Sequence, residues 1–251
     1  MPTTWEEMLE VGRKFLKTDG DGKTTQIGFG IPRGWIWPTF TWTSLMRQYG
    51  VEPISNDNRP QFSQPGSMKA INMYQELFRR ASDPAASSGT FFSQGRSAFD
   101  WNANYNVFGY MAKQPLFEVG SAPLPKFADG IASTVSYGFG HFVSAQSKQT
   151  ELAWKVIAFF DGPQTAEQWY TDVSLWHPWR GAWIERIFKI EPLHRPFLES
   201  LEFAKAEVSH PQIRQIHTLW GQAETRIMSG SMGVETSLQK LDDDIGKIIG
   251  P

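Results

Sequence analysis

The chain has 251 residues, 40% hydrophobic and 20% charged, proportions of a folded polypeptide long enough for one large domain or two small ones. A formal charge of −2 leaves no electrostatic footprint for nucleic acid or an anionic membrane. The absence of Cys excludes a disulfide framework, a thiolate nucleophile and a Cys-based metal site. The aromatic content is high, with 11 Trp and 18 Phe spread along the whole chain, so several rings are expected to line surfaces. The longest aliphatic and aromatic run, Val156 to Phe160, is far short of a membrane span, and no export signal precedes Trp5 in the chain as given.

In chain order, Thr4-Trp5-Glu6-Glu7 forms a capping box that opens a helix with Trp5, Met8, Leu9 and Leu16 on one face. Thr18 to Gly22 ends it in a turn-rich loop. That loop is not a calcium site, because the sixth and twelfth positions counted from Asp19 are Thr24 and Gly30 rather than Gly and Glu. Gln26 to Ile31 reads as a strand. It is followed by a Pro-restricted loop carrying Trp35, Trp37 and Trp42, rings pre-organised for contact or for entry into the core. Ser67 to Arg80 is a packing helix with Ala70, Ile71, Tyr74, Leu77 and Phe78 inward. Asp83 to Gly89 is a mobile connector.

Phe91 to Tyr110 holds a Gln94-Gly95 turn, a short strand from Ser97 to Trp101, and then Asn102, Asn104 and Asn106 alternating with Ala103, Tyr105 and Val107. Amides that donate and accept, beside the rings of Trp101 and Tyr105, suit a hydroxyl-rich ligand; the bland reading is an Asn-rich turn over core aromatics. Glu118 to Pro125 reads as a strand stiffened by two prolines. Ser133 to Ser144 reads as a hairpin around Tyr137-Gly138-Phe139-Gly140, which lacks the third glycine of a phosphate-binding loop. Glu151 onward is helical, with Leu152, Ala153, Val156, Ile157 and Phe160 on one face. A second helix, Gln164 to Tyr170, follows, and Trp176 to Arg180 is another rigid aromatic loop, now with a cation. Three further helices are predicted at Pro196 to Val208, Pro211 to Met228 (Ile213, Ile216, Trp220, Ala223, Ile227 inward) and Val234 to Ile249. Asp242 to Asp244 is placed largely on the solvated side of the last.

Catalytic patterns fail on spacing. The five His are scattered, no H-E-x-x-H occurs, and Gly230 to Gly233 lacks the form of a nucleophile elbow. A glycosidase needs two flanking carboxylates, and only Asp100, with Glu118 as a distant second, sits in a site-like run. The chain is read as a binding protein rather than an enzyme, with no cofactor implied; a glycoside-active enzyme and a truncated product without ligand function are the alternatives.

Three segments carry a family resemblance: Pro2-Thr3-Thr4-Trp5-Glu6-Glu7-Met8-Leu9, Phe92-Ser93-Gln94-Gly95-Arg96-Ser97-Ala98-Phe99 and Gly120-Ser121-Ala122-Pro123-Leu124-Pro125. In this order, with Gly138-Phe139-Gly140, the Ser147-Lys148 to Ala153-Trp154 helix entry and Pro178-x-Arg180, the chain resembles extracellular sugar-binding proteins of bacterial ABC importers, the maltose-binding-protein-like group. The resemblance implies an α/β fold of the type II periplasmic-binding-protein kind, a helix-rich second lobe (1–122 and 163–251) with a remnant of the first (123–162), and absence of the first lobe's opening segments. It implies a sugar ligand, ABC permease subunits as partners, a periplasmic or extracellular location and no membrane insertion. By resemblance Tyr105 and Trp220 are sugar-stacking rings, Arg180 is a polar ligand contact, and one of Trp35, Trp37 and Trp42 faces ligand. Trp101, Asn102, Asn104, Tyr137 and Trp176 complete the candidate set.

Overall fold

The computed structural model describes residues 1–34, 36–83, 88–106, 117–179, 181, 184–185, 189 and 192–250. Contacts divide the chain into two units. Unit 1 comprises Met1–Asn102, Ala122–Ser136 and Ser200–Pro251, and unit 2 comprises Ala103–Ser121 and Tyr137–Glu199.

Unit 1 starts with helix α1 (Trp5–Phe15), capped as its sequence dictates: the Thr4 hydroxyl accepts from the Glu7 amide, and the Glu7 carboxylate accepts from the Thr4 and Thr3 amides. Strands β1 (Lys17–Thr18), β2 (Thr24–Gly30) and β3 (Ser97–Asp100) form one sheet, with β1 antiparallel and β3 parallel to β2. Ile27 lies opposite Ser97, and Phe29 opposite Phe99. Helix α1 rests on β2 at a crossing of two glycines: a Cβ on Gly28 would come 1.8 Å from the Gly12 carbonyl oxygen. The long helices of the unit are α2 (Trp37–Gln48), α3 (Pro65–Ala81) and, near the C-terminus, two more described below. A short helix, α4 (Ser88–Ser93), leads into β3.

β4 (Thr134–Ser136) pairs in parallel with a strand at Ala204–Ala206, here β5, where a helix running to Val208 is expected. The predicted hairpin at 133–144 is therefore replaced by a long-range pairing. Buried Arg47 stabilises it, donating to the Lys205 and Ala206 carbonyls at 3.4 and 2.8 Å while pairing with Glu52 at 2.8 Å. The predicted strand at 118–125 is also absent among the described residues; only Lys126 bridges back, donating to the Thr3 carbonyl and accepting from the Trp5 amide. Prolines at 123 and 125 lack the N–H that a ladder needs.

In unit 2, helix α5 (Thr150–Phe160) is followed by α6 (Ala166–Val173), a 3-10 turn at Pro192–His194 and α7 (Arg195–Ser200), which ends at the unit boundary. Back in unit 1, α8 (Ile213–Ser229) and α9 (Val234–Ile249) close the chain. Trp5, Trp42, Phe62, Tyr74, Phe78, Trp220, Leu238, Leu241 and Ile245 form one continuous core. Gln48 is fully enclosed in it. Its oxygen accepts from Trp5 Nε1 and the Phe127 amide, and its nitrogen donates to the Pro125 carbonyl at 2.9 Å. Asp242 differs from its expected solvated position, accepting from the Phe62 and Ser63 amides at 2.7 and 2.8 Å. The connector expected at 83–89 lies mostly outside the described residues.

Candidate functional site

Helix α8 is amphipathic, and burying its apolar stripe determines what its other face presents. Ile216, Trp220, Ala223 and Ile227 enter the core, so Arg214, His217, Thr218, Gly221, Gln222 and Thr225 form a polar outer row at i, i+3, i+4 and i+7 spacing. This row is one wall of an open groove of about 1190 Å³ within unit 1. Gly34 and Ile36 contribute from the loop after β2, and Glu207, Val208 and Ser209 from the segment after β5. Gly34 adopts φ +71°, a left-handed turn open to glycine at no steric cost.

The lining offers donors and acceptors in mixed array. The Ser209 hydroxyl and the Gln222 amide can do both, the Thr218 and Thr225 hydroxyls, which donate to the Arg214 and Gly221 carbonyls at 3.1 and 2.9 Å, accept, and the Arg214 and Arg226 guanidinium groups only donate. Burial pushes the His217 imidazole below its ordinary value, so it is neutral at pH 7 with one donating and one accepting nitrogen. Burial likewise raises the Glu207 carboxyl. Ile36, Val208 and Ile213 supply apolar surface. Such a surface suits a polar, hydroxyl-bearing solute.

The predicted residues distribute differently. Trp42 and Trp220 are 0% exposed and 6.2 Å apart in the core, Trp220 with its ring edge-on to Phe62 at 4.5 Å. Both are core rings with no exposed face: Trp220 sits on the apolar stripe of α8, and Trp42 lies on α2, a helix buried over most of its surface. Trp101 is half-buried and stacked on Trp5 at 5.2 Å, its amide donating to the Gly30 carbonyl. Asn102 donates to the Asp100 carboxylate at 2.7 Å. Trp37, at the start of α2, meets Phe40 edge-on at 6.1 Å. Asn104 and Tyr105 lie in unit 2, half-buried at a turn closed by the Asn106 amide on the Ala103 carbonyl. Tyr137 meets Phe139 at 6.0 Å, and Trp176 packs on the small core of Ala166 and Tyr170, 5.7 Å from His194. Trp35 and Arg180 lie outside the described residues.

Glu224 was missed altogether. It lies behind the groove, 2% exposed, with its carboxylate accepting from the Tyr74 hydroxyl at 2.6 Å and the Gly34 amide at 3.4 Å. Arg33 Nε stands 4.0 Å away, its guanidinium over the Phe78 ring. Burial pushes the carboxyl up, while Tyr74, Arg33 and Gly34 act in the opposite sense. The signal was present in the sequence as an acid on the same stripe as Trp220, Ala223 and Ile227.

A family model for bacterial extracellular solute-binding proteins matches residues 2–167. A binding protein of Brucella abortus (strain 2308) is 24% identical over 165 residues, 63% of this chain and 39% of the relative. Among solved structures, an ABC transporter solute-binding protein from Thermotoga lettingae bound with α-D-tagatose aligns with TM-score 0.84 at 20% identity, covering 99% of this chain and 65% of that one. The maltose/maltodextrin-binding domain of Bdellovibrio bacteriovorus bound to maltotriose aligns with TM-score 0.84 at 16% identity, covering 99% and 67%. The chain thus spans about two-thirds of these solved chains and well under half of the curated relative.

Proposed function

We propose that this chain, which belongs to the bacterial extracellular solute-binding protein family, binds a sugar or related polyol as part of the substrate-binding component of an ABC importer. The fold is the helix-rich α/β fold of solute-binding proteins. The observation that carries the reading is the unit 1 groove, whose hydroxyls, amide and neutral imidazole match a hydroxyl-rich solute. Permease subunits are the proposed partners, the space outside the cytoplasmic membrane the proposed location, and binding without catalysis the proposed activity. Among the described residues no helix is long and apolar enough to cross a membrane. We assign unit 1 to the second lobe and unit 2 to part of the first; the return to the second lobe then falls at 200 rather than 163, and 103–121 goes to the first lobe and 122–136 to the second, the reverse of the expected division there.

Half a binding surface gives weak binding. Micromolar affinity needs about 8 kcal/mol and millimolar about 4, so a solute engaged by the unit 1 groove alone is expected near the millimolar range. Calorimetric titration of the chain with maltotriose and with D-tagatose tests this. Arg214→Ala with Gln222→Ala should abolish the heat, and binding unaffected by that pair would remove the groove as the site.

A further inference from the structure

We propose that Glu224 is a positioning residue of the groove, a buried carboxylate that ties the Arg33–Gly34 loop to α8 and thereby fixes the spacing of the two walls. The idea rests on the groove being the solute site. Glu224 does not line the groove, yet it joins the elements that do. Its own helix supplies Thr218, Gln222 and Thr225 to one wall, and the amide it accepts from belongs to Gly34 on the other. The far end of the loop is fixed independently, with the Trp37 amide donating to the Gly34 carbonyl at 3.1 Å and the Thr39 amide to the Ile36 carbonyl at 3.0 Å. Gly34 is therefore held on its carbonyl side by α2 and on its amide side by Glu224. Behind the carboxylate, Tyr74 on α3 is fully buried and donates at 2.6 Å, which fixes the headgroup against a rigid core helix.

The chemistry requires a carboxylate at this position. Two donors converge on it, the Tyr74 hydroxyl and the Gly34 amide, and the Arg33 guanidinium faces it as an ion pair at 4.0 Å. A glutamine carries no charge to face Arg33, and its single acceptor oxygen serves both Tyr74 and Gly34 only if the Tyr74 hydroxyl turns to accept from Nε2–H, which breaks the present donation to the headgroup. Gly34 is the donor most easily lost, because it is exposed and its amide can turn to water instead.

Hydrogen–deuterium exchange on the whole chain without added solute reads the tether directly. In E224Q the amides of 33–36 should exchange about tenfold faster, while α3, α8 and α9 keep their protection. E224D, which retains both oxygens on a shorter stem, should fall between E224Q and the parent, and Y74F should leave the loop closer to the parent than E224Q does. Unchanged loop exchange in E224Q overturns the proposal. So does an equal loss of protection across α3, α8 and α9, which would make Glu224 an ordinary core residue. If E224Q does not fold, the ordering of E224D against Y74F decides the matter. Maltotriose titration of the same proteins should show weaker binding in E224Q. Failure of the parent chain to bind maltotriose counts against the groove reading, whereas the exchange result bears on the tether alone.

Discussion

Helices α5 and α8 carry the same kind of apolar stripe and meet opposite fates. Along α8, Ile216, Trp220, Ala223 and Ile227 are fully enclosed by α2, α3 and α9. Along α5, Leu152 is 55% exposed and Phe159 57%, with Val156 and Phe160 exposed on the same face and Trp154 exposed on the opposite one. Amphipathic periodicity specifies that a helix needs cover, but it does not say whether these 251 residues supply it. A contiguous exposed apolar face of this kind marks a surface that another polypeptide covers. We propose that on α5 the cover comes from the third of the family fold that this chain does not span.

The comparison is broken most directly by truncating one ring on each helix. Trp220→Ala should cost about 3–5 kcal/mol in urea unfolding, whereas Phe159→Ala should stay within about 0.5 kcal/mol. Comparable losses would show that α5 is packed after all. Next in size is an acid effect confined to unit 2. Burial pushes His194 down to about 4 from its usual value near 6.5, so the folded unit favours the neutral ring. The unfolded chain binds the extra proton between those values, so the stabilisation is complete above about pH 6.5 and is lost as pH falls toward 4. The loss should be on the order of 2 kcal/mol, followed by Trp fluorescence, and His194→Leu should flatten that limb while leaving unit 1 unchanged. Thr4→Ala removes a cap hydroxyl and should cost about 1 kcal/mol in unit 1 alone. Smallest in stability, though visible in sedimentation, is V156K with F159K. The parent chain should self-associate and the double variant should not, with a change in unfolding energy of about 0.5 kcal/mol or less.

Much of unit 1 was legible because its helices are long and strictly periodic. The predicted inner residues of α3 are all buried, the Thr4 box caps α1 as expected, and α9 spans the predicted range. The β4–β5 pair was not legible, since Ala204-Lys205-Ala206 has no β-branched residue and its partner lies far away in sequence. The site was read less well than the fold. Trp220 was claimed twice, as a core position by periodicity and as a stacking wall by resemblance, and its packing follows the periodicity. The groove escaped notice because polar residues on the outer row of a helix are the usual composition of a solvated face. Only the loop and the 207–209 segment beside it make that row concave, and neither is visible to a pattern along one helix.

The crossing of Gly12 over Gly28 bears on how this fold can be recombined. Space for a side chain is missing on the strand, and on the helix a Cβ at position 12 would meet Ala81 of α3 at 3.0 Å. Three segments far apart in the chain thus share one steric constraint, so a chimera that imports α1 alone from a relative inherits the constraint without its solution. Exchange of 1–30 as a block keeps the glycine pair together, and a small residue at 81 then becomes the condition the recipient must meet.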